Sequence, residues 1–313
     1  MTALQIQDRH RLAGDLWKTG RLVGQTPLHE IRNVYRKPGV RIFAKLEWQQ
    51  LGGSVKSRPA FQIIRQAVHD GQLGGGRQLL DATSGNTGIA YAAICASLGI
   101  PLTLCLPENA SQERKRILTS LGATIRYTSR MEGTDGAQAE ARRLFLEQPD
   151  RFHYADQYGN PANWRAHFEG TALEIWRQTN GKVTHFVAGL GTTGTFTGTG
   201  RRLRNLRPDI RLVALQPDNP MHGLEGWKHL ETAHVPAIFD PYLAHETRSV
   251  DTLEAWDMVR QLARQEGLLV SPSAAANLVG SIRVAESIDE GVIVTTFADS
   301  ADKYADVMDH IFS

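Results

Sequence analysis

The chain has 313 residues, of which 41% are hydrophobic and 22% are charged, with a formal net charge of +2. This length allows two domains, and the near balance of acidic and basic residues argues against a nucleic-acid partner. No apolar run is long enough to span a bilayer. The presence of only two cysteines and the lack of an apolar signal region in the first ten residues fit a cytoplasmic protein, and the histidine spacing predicts no metal site.

Strand-like runs alternate with helical patterns along almost the whole chain, which predicts an α/β fold with parallel strands. After a turn and an extended segment at 22–28, we expect strands at 41–47, 79–82, 101–106, 123–127, 183–188, 210–215, 268–270 and 292–297. We expect helices at 59–69, 89–98, 112–121, 134–147, 167–178, 195–206, 253–266 and 274–286. The irregular passage 150–164 is interpreted as a crossing between domains, and 217–241 as a long functional or dimer-contacting loop.

Lys56 follows a glycine bend that delivers it to the start of the helix expected at 59–69. The helix macrodipole disfavours a positive charge at that end, so a lysine there should lose its proton more easily. A neutral amine is what Schiff-base chemistry requires. The other interpretation is an ordinary surface lysine in a loop.

Residues 189–195, Gly-Leu-Gly-Thr-Thr-Gly-Thr, follow an expected strand and precede a helix. They fit the Gly-x-Gly-x-x-Gly dinucleotide fingerprint, but the next strand ends in Gln216 rather than in an acidic residue that would bind a ribose. Backbone amides and hydroxyls at a helix N-terminus suit a single phosphate group. We therefore favour a phosphate-bearing cofactor over a nicotinamide dinucleotide, with a structural glycine turn as the other interpretation.

A second strand-to-helix loop, residues 83–88, has the sequence Thr-Ser-Gly-Asn-Thr-Gly. Its hydroxyls, amide side chain and N–H groups form a natural clamp for a carboxylate. Helix capping is the alternative, but a cap needs one such residue and this loop has four. A third loop offers Ser273, which can cap the following helix or hydrogen-bond a ligand nitrogen. Together, a loop lysine, a phosphate cradle and a carboxylate clamp describe a pyridoxal-phosphate enzyme acting on an amino acid.

The motif Gly53-Ser54-Val55-Lys56-Ser57-Arg58 and the loops 83–88 and 189–195 resemble, in order and mutual spacing, the cysteine synthase family of fold-type II pyridoxal-phosphate enzymes. The similarity runs over nearly the whole chain, and residues 157–163 and 184–189 look most like the cysteine synthase B branch, which includes O-phosphoserine sulfhydrylases. The resemblance implies two doubly wound α/β domains of tryptophan synthase β-like architecture. These are a smaller mobile domain at 41–152 and a larger domain at 1–40 and 153–313. It also implies pyridoxal 5′-phosphate in the cleft between them, and a homodimer.

The resemblance further implies roles for individual residues. Lys56 matches the catalytic Schiff-base lysine, and Asn86 matches the residue at the cofactor's 3′-oxygen. Ser273 matches the serine at the pyridine nitrogen, with Ser271 as a second candidate because the alignment can slide. The implied phosphate contacts are Gly191, Thr192, Thr193, Gly194 and Thr195. The implied substrate contacts are Thr83, Ser84, Gly85, Thr87 and Gln157.

The chain departs from the family pattern at a few positions. Ala274 follows Ser273 where glycine is usual, Ser57 replaces an aspartate and Gln25 replaces an asparagine, changes that can alter loop closure or substrate choice. In branch members that handle anionic substrates, an arginine falls near Lys228. We therefore expect Lys228 to contact an anionic leaving group or sulfur donor, with a solvated loop lysine as the alternative.

The implied activity is cysteine synthesis, in which sulfide or thiosulfate replaces the β-substituent of O-acetylserine or O-phosphoserine through an α-aminoacrylate, with Lys56 as the base. A hydroxyl at the pyridine nitrogen, unlike a carboxylate, does not stabilise a pyridinium and so favours β-elimination over transamination. The alternatives are a related lyase (serine or threonine dehydratase, or cystathionine β-synthase), a catalytically weak regulatory homologue, and a nicotinamide enzyme. The preferred donor and sulfur source are left undecided.

Overall fold

The computed structural model describes residues 3–83 and 85–313, with side chains from residue 11 onwards. The chain divides into two compact units. Unit 1 comprises Met1–Gly24 and Gln50–Ala162, and unit 2 comprises Gln25–Gln49 and Asn163–Ser313. None of the described helices is long and apolar enough to cross a membrane.

Unit 1 is built on a four-stranded parallel sheet. Its strands are β3 (Gln78–Ala82), β4 (Leu102–Pro107), β5 (Thr124–Thr128) and β6 (Phe152–Tyr154). Its helices are α1 (Ala3–Gly20), α2 (Ser57–His69), α3 (Asn86–Leu98), α4 (Gln112–Ser120) and α5 (Gly133–Glu147). The strand order is β5-β4-β3-β6. All six residues of β4 are buried, as expected of an interior parallel strand that has both faces covered.

Unit 2 is built on a six-stranded sheet. Its strands are β1 (Leu28–Ile31), β2 (Val40–Leu46), β7 (His185–Gly189), β8 (Arg211–Pro217), β9 (Glu246–Val250) and β10 (Gly291–Phe297). Its helices are α6 (Pro161–Ala166, which begins in unit 1), α7 (Ala172–Gln178), α8 (Gly194–Leu206), α9 (Thr252–Gln261), α10 (Pro272–Glu286) and α11 (Ala305–Phe312). The order is β1-β2-β10-β7-β8-β9, and β1 is antiparallel to its neighbour.

Helix α10 lies against the unit 2 sheet and is buried over most of its length. The run Ala274, Ala275 and Ala276 has small side chains that allow this close approach. Gly280 is needed for the same reason, because a methyl group there would overlap the Leu215 side chain of β8. The helix therefore sits where its polar residues can reach the backbone of the sheet.

In each sheet the strand order reverses at one point, and ligands of open α/β sheets bind at such points, beyond the carboxyl ends of the strands. In unit 1 the reversal lies between β3 and β6, so the loops after these strands meet. In unit 2 it lies between β7 and β10. Loops 83–88 and 189–195 follow β3 and β7, so both stand at reversal points.

The predicted α/β architecture with parallel strands is confirmed, and most expected elements are present with shifted ends. Several regions differ. Strand β9 and helices α1 and α11 were not expected. Residues 268–270 form no strand; Val270 makes only an isolated bridge to Ser300. The passage 150–164 contains β6 and the start of α6, and π-helical turns interrupt the expected helices at His167–Thr171 and Leu262–Glu266.

The unit boundaries differ from the predicted domain boundaries for two physical reasons. Strand β2 pairs with β10 over seven parallel positions, so residues 41–49 belong to unit 2. Leu12 and Leu16 of α1 are buried in the apolar core that α2 and α3 share, so the N-terminal helix belongs to unit 1. That the cofactor lies in a cleft between two domains stays a prediction.

Candidate active site

Lys56 lies at the N-terminal end of α2, as the sequence predicted, and α2 begins at Ser57, two residues earlier than expected. The Lys56 carbonyl accepts the Ala60 amide at 3.0 Å, so the lysine is already part of the first turn. Gly52 and Gly53 have φ values of 82° and 62°, which explains the glycines in the bend. The Lys56 side chain is half-buried, and no acidic residue lies in the first turn of α2 to offset the positive end of the helix dipole.

The bend before Lys56 packs against α3. A methyl group at Gly52 would lie 3.1 Å from the Cα of Ala90 and 2.9 Å from the Ser57 hydroxyl. That hydroxyl is buried and has no hydrogen-bond partner within residues 3–83 and 85–313. The lysine bend leads into α2 and loop 83–88 leads into α3. Because the bend packs against α3, the fold of unit 1 fixes the position of Lys56 relative to this helix.

Loop 83–88 leaves the N-terminus of α3 without a side-chain cap. The N-cap residue is Gly85, Asn86 is the first helical residue, and no side chain of the cap accepts a helix N–H group. Thr83 is buried, and its hydroxyl accepts a 3.3 Å hydrogen bond from the Gly85 amide, before the helix starts. Among the described residues, no side chain of the N-cap residue caps α3, which is against the interpretation of this loop as a simple helix cap. Ser84, a predicted substrate contact, lies outside the described residues.

Thr87 and Gln157, two predicted substrate contacts far apart in sequence, are joined in the structure. The Thr87 hydroxyl donates to Gln157 Oε1 at 2.7 Å, and Gln157 Nε2 donates to the Ala82 carbonyl at 3.1 Å. Both side chains are buried. Parallel pairing of β3 with β6 brings them together, because the two strands end at the same edge of the sheet.

Beneath this pair lies Asp81, a buried carboxylate near the end of β3 that sequence reasoning did not single out. It accepts hydrogen bonds from the amides of Ala82 at 2.8 Å and Gln157 at 3.4 Å. Burial raises the pKa of the Asp81 carboxyl from its usual 3.8 to about 7, and the nearby charge of Asp156 acts in the same direction. The Tyr91 hydroxyl lies beside this carboxyl, and burial likewise raises the tyrosine pKa.

Arg114 of α4 is a second residue that sequence reasoning missed. The Ser111 hydroxyl accepts the Arg114 amide and caps α4, and the Arg114 side chain is buried. A methyl group at Gly85 would lie 3.9 Å from Arg114 Nη1, so the guanidinium reaches loop 83–88. This places a positive charge beside the loop predicted to bind a carboxylate.

Loop 189–195 is held tightly by its glycines. A methyl group at Gly191 would overlap the Gly226 carbonyl oxygen, and one at Gly194 would overlap the Asn163 side chain. Thr193 has a φ of 68°, a left-handed conformation that is uncommon for a β-branched residue. The glycines are therefore required for close packing, and this packing fixes the shape of the loop.

The hydroxyls of this loop differ in their partners. Thr193 is the N-cap of α8 and is 2% exposed, yet its Oγ1 has no hydrogen-bond partner in the part of the chain that the structure describes. Thr195 Oγ1 lies 3.3 Å from Nε2 of His167, a buried histidine that the sequence did not point to. A buried, unpaired hydroxyl at the start of a 13-residue helix is where an anion would be bound.

The structure separates the two serines before α10. Ser271 is the N-cap and its hydroxyl accepts the Ala274 amide at 3.2 Å, so the alternative interpretation, in which Ser273 caps this helix, is wrong. Ser273 lies in the first turn, and its Oγ is 3.2 Å from that of Ser271. Because the Ser271 hydroxyl is used in capping the helix, Ser273 is the better candidate to hydrogen-bond a ligand.

Lys228 lies in a segment that packs onto loop 189–195. The Lys228 amide donates to the Leu190 carbonyl at 2.7 Å, and the Trp227 ring fills the space that a side chain at Gly189 would need. The Lys228 side chain is half-buried. Within unit 2, the structure therefore brings Lys228 to the loop predicted to bind phosphate.

Several known proteins are similar to this chain over most of its length. The family model described as "Pyridoxal-phosphate dependent enzyme" matches residues 20–299. A cysteine synthase of Aquifex aeolicus is 45% identical over 291 residues, covering 91% of this chain and 89% of that protein. Cysteine synthase B of Escherichia coli is 36% identical over 286 residues, covering 90% and 92% of the two chains. The crystal structure of a cysteine synthase from Entamoeba histolytica has a TM-score of 0.87 at 31% identity, covering 92% of this chain and 88% of that one.

Proposed function

The chain belongs to the cysteine synthase family of pyridoxal-phosphate-dependent enzymes, and we propose that it forms cysteine by replacing the β-substituent of an O-activated serine with a sulfur nucleophile. The proposal rests above all on Thr193, whose buried hydroxyl is unpaired among the described residues at the start of α8. Its unmet hydrogen bond and the N–H groups at the start of the helix fit a phosphate group. Gly191, Thr192, Gly194 and Thr195 would complete the contacts.

Pyridoxal 5′-phosphate bound there supplies a ring that withdraws electrons from the α-carbon of the amino acid. Lys56 Nζ is the proposed attachment point and the group that moves the proton at this α-carbon. Its position in the first turn of α2 supports this role, because the helix dipole favours a neutral amine. Asn86, at the start of α3, would orient the cofactor ring. The Ser273 hydroxyl would face the pyridine nitrogen.

Loop 83–88 is the proposed site for the substrate carboxylate. The N-terminus of α3, where the cap residue Gly85 has no side chain, offers N–H donors, and Arg114 adds a positive charge beside Gly85. The hydrogen bond between Thr87 and Gln157 fixes both side chains in place before substrate arrives. We propose Thr83 and Ser84 as further contacts.

Lys228 is the proposed contact for an anionic leaving group or sulfur donor, such as phosphate or thiosulfate. Its support is the backbone hydrogen bond that docks its segment onto Leu190. The choice between O-acetylserine and O-phosphoserine would follow from this charge, since only the second carries an anionic β-substituent. A homodimer is proposed from the family alone.

The test combines the full-length chain, pyridoxal 5′-phosphate, either serine donor, and either sulfide or thiosulfate, with chromatographic detection of cysteine or its S-sulfo form. Lys56→Ala should lose roughly 10²–10⁴-fold in turnover and remain folded. Lys18→Ala, at an exposed lysine of the same unit, serves as the control. Substantial synthase activity in Lys56→Ala would overturn the assignment. Pyruvate from serine without a sulfur donor would favour a dehydratase instead.

Lys228→Ala should change the preference between donors, and Lys182→Ala, an exposed lysine in unit 2, should not. An unchanged ratio of kcat/KM for O-phosphoserine over O-acetylserine, together with an unchanged ratio for thiosulfate over sulfide, would remove Lys228 from the site.

A further inference from the structure

Asn277 is a buried residue of α10 whose side chain connects two neighbouring strands of the unit 2 sheet. Its Oδ1 accepts a hydrogen bond from the Gly189 amide at 2.8 Å, and its Nδ2 donates to the Thr296 carbonyl at 2.8 Å. Gly189 ends β7 and begins loop 189–195, and Thr296 belongs to β10. The carboxamide therefore bridges the point at which the strand order of this sheet reverses.

An asparagine is an unfavourable choice for this position on local grounds. It follows three alanines inside a helix, where alanine is the better helix former. It is 2% exposed, and burying a carboxamide is costly unless its donors and acceptors are paired. An apolar residue would avoid both costs but would leave the Gly189 amide and the Thr296 carbonyl without this partner. What the asparagine adds is a fixed link between α10 and the first residue of the loop.

Gly189 is held from a second side by Trp227, whose ring occupies the space of a side chain there. The next restraints along the loop are the Gly226 carbonyl at Gly191 and the Asn163 side chain at Gly194. Those contacts are steric and limit how the loop can shift against its neighbours. The contact of Asn277 is instead a directional hydrogen bond, and it fixes the distance between α10 and the first residue of the loop.

Ser273 and Asn277 are four residues apart on α10, so they lie on one face of the helix, about 6 Å apart along its axis. We propose that Asn277 is a positioning residue that holds the phosphate-binding loop at a fixed distance from Ser273. One face of α10 then determines both the partner of the pyridine nitrogen and the place of the phosphate. The proposal rests on the proposed function, because it takes loop 189–195 as the phosphate site.

The test measures discrimination between pyridoxal 5′-phosphate and pyridoxal, which has the same ring and aldehyde but no phosphate. The full-length chain is freed of cofactor, and the dissociation constants of both compounds are measured by absorbance. Asn277→Ala should weaken binding of pyridoxal 5′-phosphate roughly tenfold while leaving pyridoxal binding nearly unchanged. Should this variant not fold, Asn277→Ser is measured in the same way, and a loss of the same discrimination is expected.

Ser281→Ala is the matched control, since Ser281 is buried one turn further along α10 and its hydroxyl donates to the Asn277 carbonyl at 2.7 Å. It should lower stability without changing the discrimination. If Asn277→Ala weakens the binding of both compounds equally, Asn277 is only a structural residue. The same conclusion holds if Ser281→Ala also loses the discrimination between them. If the wild-type chain itself does not prefer the phosphorylated compound, the phosphate-site assignment fails instead.

Discussion

Loops 83–88 and 189–195 have similar compositions, and each follows a strand at a point where strand order reverses, but their surroundings differ. In loop 83–88, Gly85 has room for a methyl group, and the Thr87 hydroxyl is paired with Gln157. In loop 189–195, Gly191 has no such room, and the Thr193 hydroxyl is unpaired within the described ranges. Loop 83–88 thus has a paired hydroxyl at Thr87 and open space at Gly85, although its second glycine, Gly88, packs closely against Leu104. Loop 189–195 has close packing and an unmet hydrogen bond at Thr193.

This difference separates two kinds of binding site. A loop packed around its glycines holds a fixed shape, which suits a cofactor that stays bound through many turnovers. A loop with space and paired side chains presents backbone donors that can accept and release a substrate. The following three comparisons run from the largest expected effect to the smallest. The first two test whether the two loops have these different tasks, and the third tests a difference between the strands that precede them.

Adding a methyl group should be costly in one loop and tolerated in the other. Gly191→Ala would force the loop away from the Gly226 carbonyl, at a cost of ~1–3 kcal/mol, so cofactor affinity should fall roughly 10–100-fold. Gly85→Ala meets nothing closer than Arg114 at 3.9 Å and has a φ of −139°, so cofactor affinity should hardly change. Equal losses of cofactor affinity in the two variants, measured by absorbance titration, would contradict the comparison.

Removing a hydroxyl should have opposite consequences in the two loops. Thr87→Val takes away the hydrogen bond that Gln157 Oε1 accepts, so the cofactor-free protein should lose about 1–3 kcal/mol of stability. Thr193→Val removes a buried hydroxyl that has no partner in residues 3–83 and 85–313, so it should leave this stability nearly unchanged. It should instead weaken cofactor binding roughly tenfold. Urea unfolding without cofactor checks both; a Thr193→Val protein as destabilised as Thr87→Val would count against the phosphate role.

The strands before the two loops also differ, because β3 carries the buried Asp81 whereas β7 has no acidic residue. The folded protein keeps the Asp81 proton up to a pH of about 7, and the unfolded chain loses it near 3.8. The folded state therefore binds more protons in this window, so the free energy of unfolding falls as pH rises through it. Between pH 6 and 8 this group alone should lower it by ~1.4 kcal/mol.

Asp81→Asn removes the titrating group and keeps one acceptor oxygen. Its stability measured against wild type should rise by that amount from pH 6 to pH 8, because contributions from the other titrating groups cancel in the difference. A difference between the two proteins that does not depend on pH would show that Asp81 is already ionised below pH 6.

Much of the fold followed from local patterns. Alternating apolar runs and helical periods gave most strands and helices within a few residues, since each pattern reflects one element buried on a sheet. Strand β9 (Glu246–Val250) was not predicted because it is an edge strand whose residues are mostly exposed and polar. The expected strand at 268–270 was wrong because this short apolar run makes only an isolated bridge at Val270, and Leu269 is exposed rather than packed on a sheet.

The sequence by itself determined the chemistry: a lysine at a helix start, and two loops rich in glycine and hydroxyls between a strand and a helix. These are local features, set by turn-forming residues and by the helix that follows. Only the tertiary structure decided which serine caps α10, that Thr87 meets Gln157, and that Asp81, Arg114 and Asn277 lie near the loops. Each of these contacts joins residues whose proximity depends on strand order or helix packing, and hydrogen bonds between distant segments leave no pattern in either segment alone.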